Sequence, residues 1–78
     1  MKPARLTPNT PIEYRTASGR WIRGTFLRRQ PPRGPTPAVN WVRFPGYAGL
    51  YGPEDDGTCQ ISDADLARRG RLARGGAA

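Results

Sequence analysis

Histidine is absent from this 78-residue chain and cysteine occurs once, at Cys59. The first absence removes the side chain that most often serves as general base and as metal ligand. The second excludes an internal disulfide and a thiolate zinc site, leaving Cys59 as a free structural thiol suited to a reducing compartment. No segment approaches the roughly 20 apolar residues of a membrane-spanning helix. The N-terminal MKPARLTPNT carries charge with no apolar stretch behind it, so it does not read as a secretory signal. Acids are scarce too, six against thirteen Lys and Arg. Glu54, Asp55 and Asp56 lie together in a turn flanked by Gly52 and Gly57, where solvent keeps carboxylates ordinary and the spacing matches no calcium loop. GYAGLYG at 46–52 lacks the Lys-Ser/Thr ending of a phosphate loop. These absences predict a soluble, cytoplasmic protein that is not an enzyme and has no cofactor and no metal site.

What the chain has in quantity is arginine. Twelve of its thirteen basic residues are Arg, and the formal net charge is +7. Residues 1–37 carry eight basic side chains against one acid, Glu13, whereas residues 38–57 carry Arg43 against three acids. Guanidinium groups favour planar, bidentate contacts to phosphate or carboxylate over simple point-charge attraction. A field of this sign draws nucleic acid, nucleoprotein or an acidic protein face.

With ten Gly, nine Pro and 36% hydrophobic residues, the composition suits many turns around a small core, for which Trp21, Phe26, Leu27, Trp41, Val42 and Phe44 are the candidates. Residues 1–11 hold Pro3, Pro8 and Pro11 and read as an extended arm, laid on the surface or mobile. A first strand is expected over 12–16, a turn around Gly19, and a second strand over 21–29. Both faces of the second strand carry apolar residues, so a bulge is expected, placed at Gly24. QPPRGPTP (30–37) is too rich in proline for strand or helix and becomes a stiff loop. A third strand follows over 38–44, then an irregular loop with a short strand around Leu50 and Tyr51, and a further strand over 58–61. Ser62 reads as a helix N-cap with Asp65 three residues on, beginning a short helical turn that Gly70 stops. Residues 70–78 read as a flexible basic tail, which leaves 12–69 as the folded unit. The order of elements predicts an all-β fold: a small barrel of about five short antiparallel strands with one short C-terminal helical turn.

Chemistry in such a chain lies in binding. Arg20, Arg23, Arg28, Arg29, Arg33 and Arg43 are the candidate cationic face, and Trp21, Trp41, Tyr47 and Tyr51 the candidate aromatic contacts. Aromatic rings beside guanidinium groups make stacking platforms for bases, with charge-assisted contacts to phosphates. For Trp21 and Trp41 the competing reading is burial in the core. Arg29, Pro32 and Pro35 also have the spacing of a polyproline ligand, against which stands a plain stiff loop. The expected partner is nucleic acid or an acidic face of a nucleoprotein or protein complex, with no membrane, engaged by a monomer or small homo-oligomer.

The order IEYR (12–15), SGRWIRGTF (18–26), WVRF (41–44) and QISDADL (60–66) resembles the small Src-homology-3-like or Tudor-like barrels common in phage and other mobile elements. That resemblance implies a binding fold and, for a tiny basic protein of this style, an alternative role as an inhibitor of a host defence complex, similar to anti-CRISPR proteins. A narrower likeness is to the plasmid-borne, trimethoprim-insensitive dihydrofolate reductases. Their Ser-Gly-x-x-Trp turn resembles Ser18 to Trp21, and their Val-Gln-Ile-Tyr strand resembles Cys59 to Ser62. By it, Gln60 and Ile61 would face cofactor and folate, with Ser62 where that family has Tyr and Thr16 about where it has a pore Lys.

Overall fold

A computed structural model of the chain describes residues 1–73. Strand β1 (Thr10–Arg15) turns back into β2 (Trp21–Gln30). The connection is tight: the Thr16 amide donates to the Arg20 carbonyl at 2.8 Å, and Gly19 takes φ 86°, a conformation open to glycine without a steric penalty. Strands β3 (Val39–Arg43) and β4 (Thr58–Ser62) continue the meander, helix α1 (Asp63–Arg69) follows, and β5 (Gly70–Leu72) closes the described chain. All pairings are antiparallel and the strand order is β4-β3-β2-β1-β5. The all-β fold of five antiparallel strands and one short helix is thus the observed one among the described residues, as an open sheet with β4 and β5 at its edges. No helix among the described residues is long and apolar enough to cross a membrane.

One face of the sheet carries the core. Ile12, Phe26, Val42 and Ile61 point inward from the strands, Phe44 follows β3, and Leu66 descends from α1 to meet them. Ser62 starts α1 as expected, its Oγ accepting the Asp65 amide at 3.1 Å. Gly70 ends it by leaving the helix in extended geometry while its N–H still donates to the Leu66 carbonyl. A Cβ at Gly70 would collide with Leu66. Only glycine lets the chain turn so closely from helix into β5.

Several expectations change. Trp21, Trp41 and Leu27 are not among the buried core residues. Residues 50–51 form a turn, because positive φ at Gly49 and Gly52 bends the chain on both sides of them. The fifth strand lies instead at Gly70–Leu72, in the segment read as tail, where Leu72 and Gly70 pair with Ile12 and Tyr14. The rest of that tail, residues 74–78, lies outside the described residues. The N-terminal segment is not extended throughout: Pro3–Arg5 form a 3-10 turn, Met1 and Leu6 pack on the core, and β1 already includes Thr10 and Pro11.

Candidate nucleic-acid interface

The expected bulge in β2 exists, but two to three residues later than Gly24. Phe26 pairs with Val42 and Arg28 with Trp41, so two steps along β2 match one step along β3, with Leu27 as the extra residue. Side chains alternate faces along a strand, so one inserted residue inverts the alternation beyond it. Before the bulge, Ile22, Gly24 and Phe26 face inward. After it, Arg28 stands outward opposite Trp41 and Arg29 turns inward opposite fully buried Asn40. Gly24 has another role. It is buried beneath the Phe44 ring, whose atoms would lie 2.7 Å from any Cβ placed there.

The inversion decides which of two consecutive arginines turns inward. The Arg29 guanidinium makes a two-pronged contact with Asp63, Nε donating to Oδ1 at 3.1 Å and Nη2 to Oδ2 at 2.6 Å. Asn40 Nδ2 donates to the same Oδ1 at 2.8 Å and to the Ile61 carbonyl at 3.0 Å. The Arg29 hydrogen bonds hold the Asp63 carboxyl below the usual carboxylate range, with a smaller contribution from Asn40 and against the effect of burial. Arg29 therefore anchors the start of α1 and is not part of an exposed cationic face.

Arg28 lies over Trp41, its guanidinium carbon 3.8 Å from the ring centroid. At the other end of β2, Trp21 is 38% exposed and covered in the same manner. Here the cover is Arg71 of β5, whose guanidinium carbon lies 3.7 Å from the ring centroid. Arg71 reaches Trp21 across β1, and Glu13 on β1 steadies it by accepting from Arg71 Nε at 2.8 Å. The outer face of the sheet thus bears two arginine-on-tryptophan layers. Each is of a kind that contributes about 0.5–1 kcal/mol at exposed sites.

Beside Trp21 opens a shallow groove of about 420 Å³, lined by Arg20, Trp21, Ile22, Arg23, Phe44 and the turn Pro45–Tyr47. Four of the expected site residues, Arg20, Trp21, Arg23 and Tyr47, come together there. Tyr47 is half-buried and packs against the core, whereas Tyr51 stands apart on its turn, 90% exposed. No protein-family model, curated protein or solved structure matches the chain.

The remaining candidates are dispersed. Arg43 is on the outer face opposite Thr25 and Thr58, in an exposed pair with Asp56 at 3.5 Å. Arg33 sits at a loop tip closed by reciprocal 2.9 Å backbone bonds with Thr36, and Gly34 has φ 55°. That tip is a tight turn, so the polyproline-ligand reading fails: the segment is not extended there and Arg29 is committed to Asp63. Asp55 organises its own loop, accepting the Tyr51 amide at 3.2 Å and the Gly57 amide at 2.8 Å. No group of three or more His, Cys, Asp or Glu among the described residues is placed to hold a metal ion. The reductase likeness placed Gln60 and Ile61 together at a ligand; Ile61 lies in the core and Gln60 outside, opposite Trp41.

Sequence reasoning missed Arg71 and Arg15. Arg15 pairs with Trp21 on the outer face, a position readable once the first hairpin is registered about Gly19. Arg71 had no such signal. Its partner Glu13 is 58 residues away and its strand has three residues, too few for a pattern.

Proposed function

We propose that this protein is a non-catalytic binding module for nucleic acid that works through the outer face of its sheet. The observation that carries the reading is the placement of both tryptophans on that outer face, Trp21 exposed and Trp41 half-buried, each beneath a guanidinium, in a chain of net charge +7. A solvated sheet face ordinarily carries polar side chains, and burial does not account for large rings there. A guanidinium lying on a ring keeps its in-plane N–H groups at the edge, directed at whatever approaches along the surface. Phosphate oxygens suit those donors, and base faces suit the layered planes. A carboxylate-bearing protein surface would satisfy the charges, whereas a nucleic acid supplies anionic groups and flat rings in every unit.

The test is binding of labelled duplex and single-stranded DNA and RNA at two salt concentrations. Affinity should fall steeply with salt, as counterion release requires. Arg28→Gln should weaken binding across sequences and lower the log-log salt slope by about 1. Absence of binding to every nucleic acid at low salt would overturn the proposal.

A further inference from the structure

Resting on that reading, the geometry points to single-stranded nucleic acid as the ligand, with one unpaired base entering the groove beside Trp21 and another stacking on the Arg28–Trp41 layer. A duplex keeps its base faces stacked inside and offers a protein phosphates and groove edges. Outward-facing ring layers have nothing to engage on it. An unpaired strand exposes base faces, and stacking on an aromatic or guanidinium plane tolerates any base.

Other parts of the fold are poorly suited to a duplex. Helix α1 has seven residues, its first turn carries Asp63 and Asp65, and Leu66 is committed to the core. Those carboxylates at its start oppose approach to phosphates. The groove fits the alternative. Its volume of about 420 Å³ accommodates a base, and Trp21, Tyr47, Arg20 and Arg23 are among its lining residues. Gly46 leaves part of the wall open, with no atom within 4 Å of a Cβ built there.

The two layers lie along one strand. Seven steps of β2 separate Trp21 from Arg28, roughly 20 Å at the usual strand rise. Arg23 and Arg43 occupy the outer face between them, opposite Glu13 and Thr25. The Arg43–Asp56 pair is exposed on both sides and of the kind that exchanges partners at little cost. A backbone running from one layer to the other passes both guanidinium groups and occupies a site of several nucleotides, within the range seen for small β folds that bind single strands.

The experiment titrates the full chain with dT and U single strands of about 12 nucleotides and with a duplex of equal length, reading intrinsic tryptophan fluorescence. Both tryptophans lie outside the core, so Trp21→Leu and Trp41→Leu should keep the wild-type circular dichroism. Single strands should quench the emission and bind roughly tenfold tighter than duplex, and each substitution should weaken single-strand binding roughly tenfold with the salt slope unchanged. A preference between dT and U strands also supports the proposal, since both carry unpaired bases. Equal affinity for strand and duplex, or wild-type affinity for single strands in both tryptophan variants, overturns it while leaving the arginine-face reading standing. No quenching by saturating single strand overturns it on the wild-type chain alone. No binding to any of the three overturns both.

Discussion

Arg28 and Arg29 are identical side chains on neighbouring positions, yet one lies on a tryptophan in solvent and the other holds a carboxylate at the edge of the core. Alternation along β2 sends them to opposite faces, and Leu27, the unpaired residue between Phe26 and Arg28, decides which of the two turns inward. Backbone proximity decides other positions as sharply. Gly57 has φ 84°, and a Cβ there would collide with the Phe44 carbonyl oxygen and crowd the amide nitrogen of Ala48. Gly57→Ala combines a strained dihedral with that clash, so a loss of about 2 kcal/mol or more is expected, measured from the urea midpoint. Gly46→Ala, at ordinary φ with no atom within 4 Å, should leave the midpoint nearly unchanged.

At the scale of elements, α1 is too short to be stable by its own hydrogen bonds and is held where it starts and by Leu66. Asp63, the first helical residue, receives hydrogen bonds from Arg29 and Asn40. Its folded-state pKa is depressed from the ordinary 3.8, chiefly by the Arg29 hydrogen bonds. A depressed carboxyl contributes stability above its unfolded pKa, and that contribution is lost as pH falls through the lower folded value. The melting temperature of the wild-type chain should therefore decline as pH drops below about 4. Asp63→Asn should melt lower at pH 7 and show a shallower decline in acid, as followed by thermal circular dichroism. An acid limb identical in the variant would remove Asp63 as its source.

Over the whole molecule, a radius of gyration of 12.5 Å encloses a core built from only a few large side chains, so stability depends on the elements that seal its margins. Strand β5 is one of these. It covers the free edge of β1 and brings Arg71 to both Glu13 and Trp21. A chain ended after Arg69 exposes that edge and uncovers the Trp21 ring. Its urea midpoint should be clearly lower than that of the full chain, and the proposed interface should lose affinity for single strands even at temperatures where the shortened protein remains folded. Unchanged stability on removing residues 70–78 would show that β5 is not a sealing element.

Local chemistry made much of the fold legible. The Gly19 turn, the proline loop, the Ser62 cap and the Gly70 stop each follow from dihedral freedom or a hydrogen bond within a few residues, and they divide the chain into short strands and one helical turn. Composition likewise determined the excess of arginine and the absence of histidine. Which face each arginine and tryptophan occupies was decided only in the assembled sheet. A face is counted from the partner strand, one extra residue at Leu27 reverses the count, and nothing in β2 alone says whether that residue is Leu27 or Gly24. The same holds for Arg71 above Trp21, because three residues carry no pattern until β1 offers them an edge to pair with.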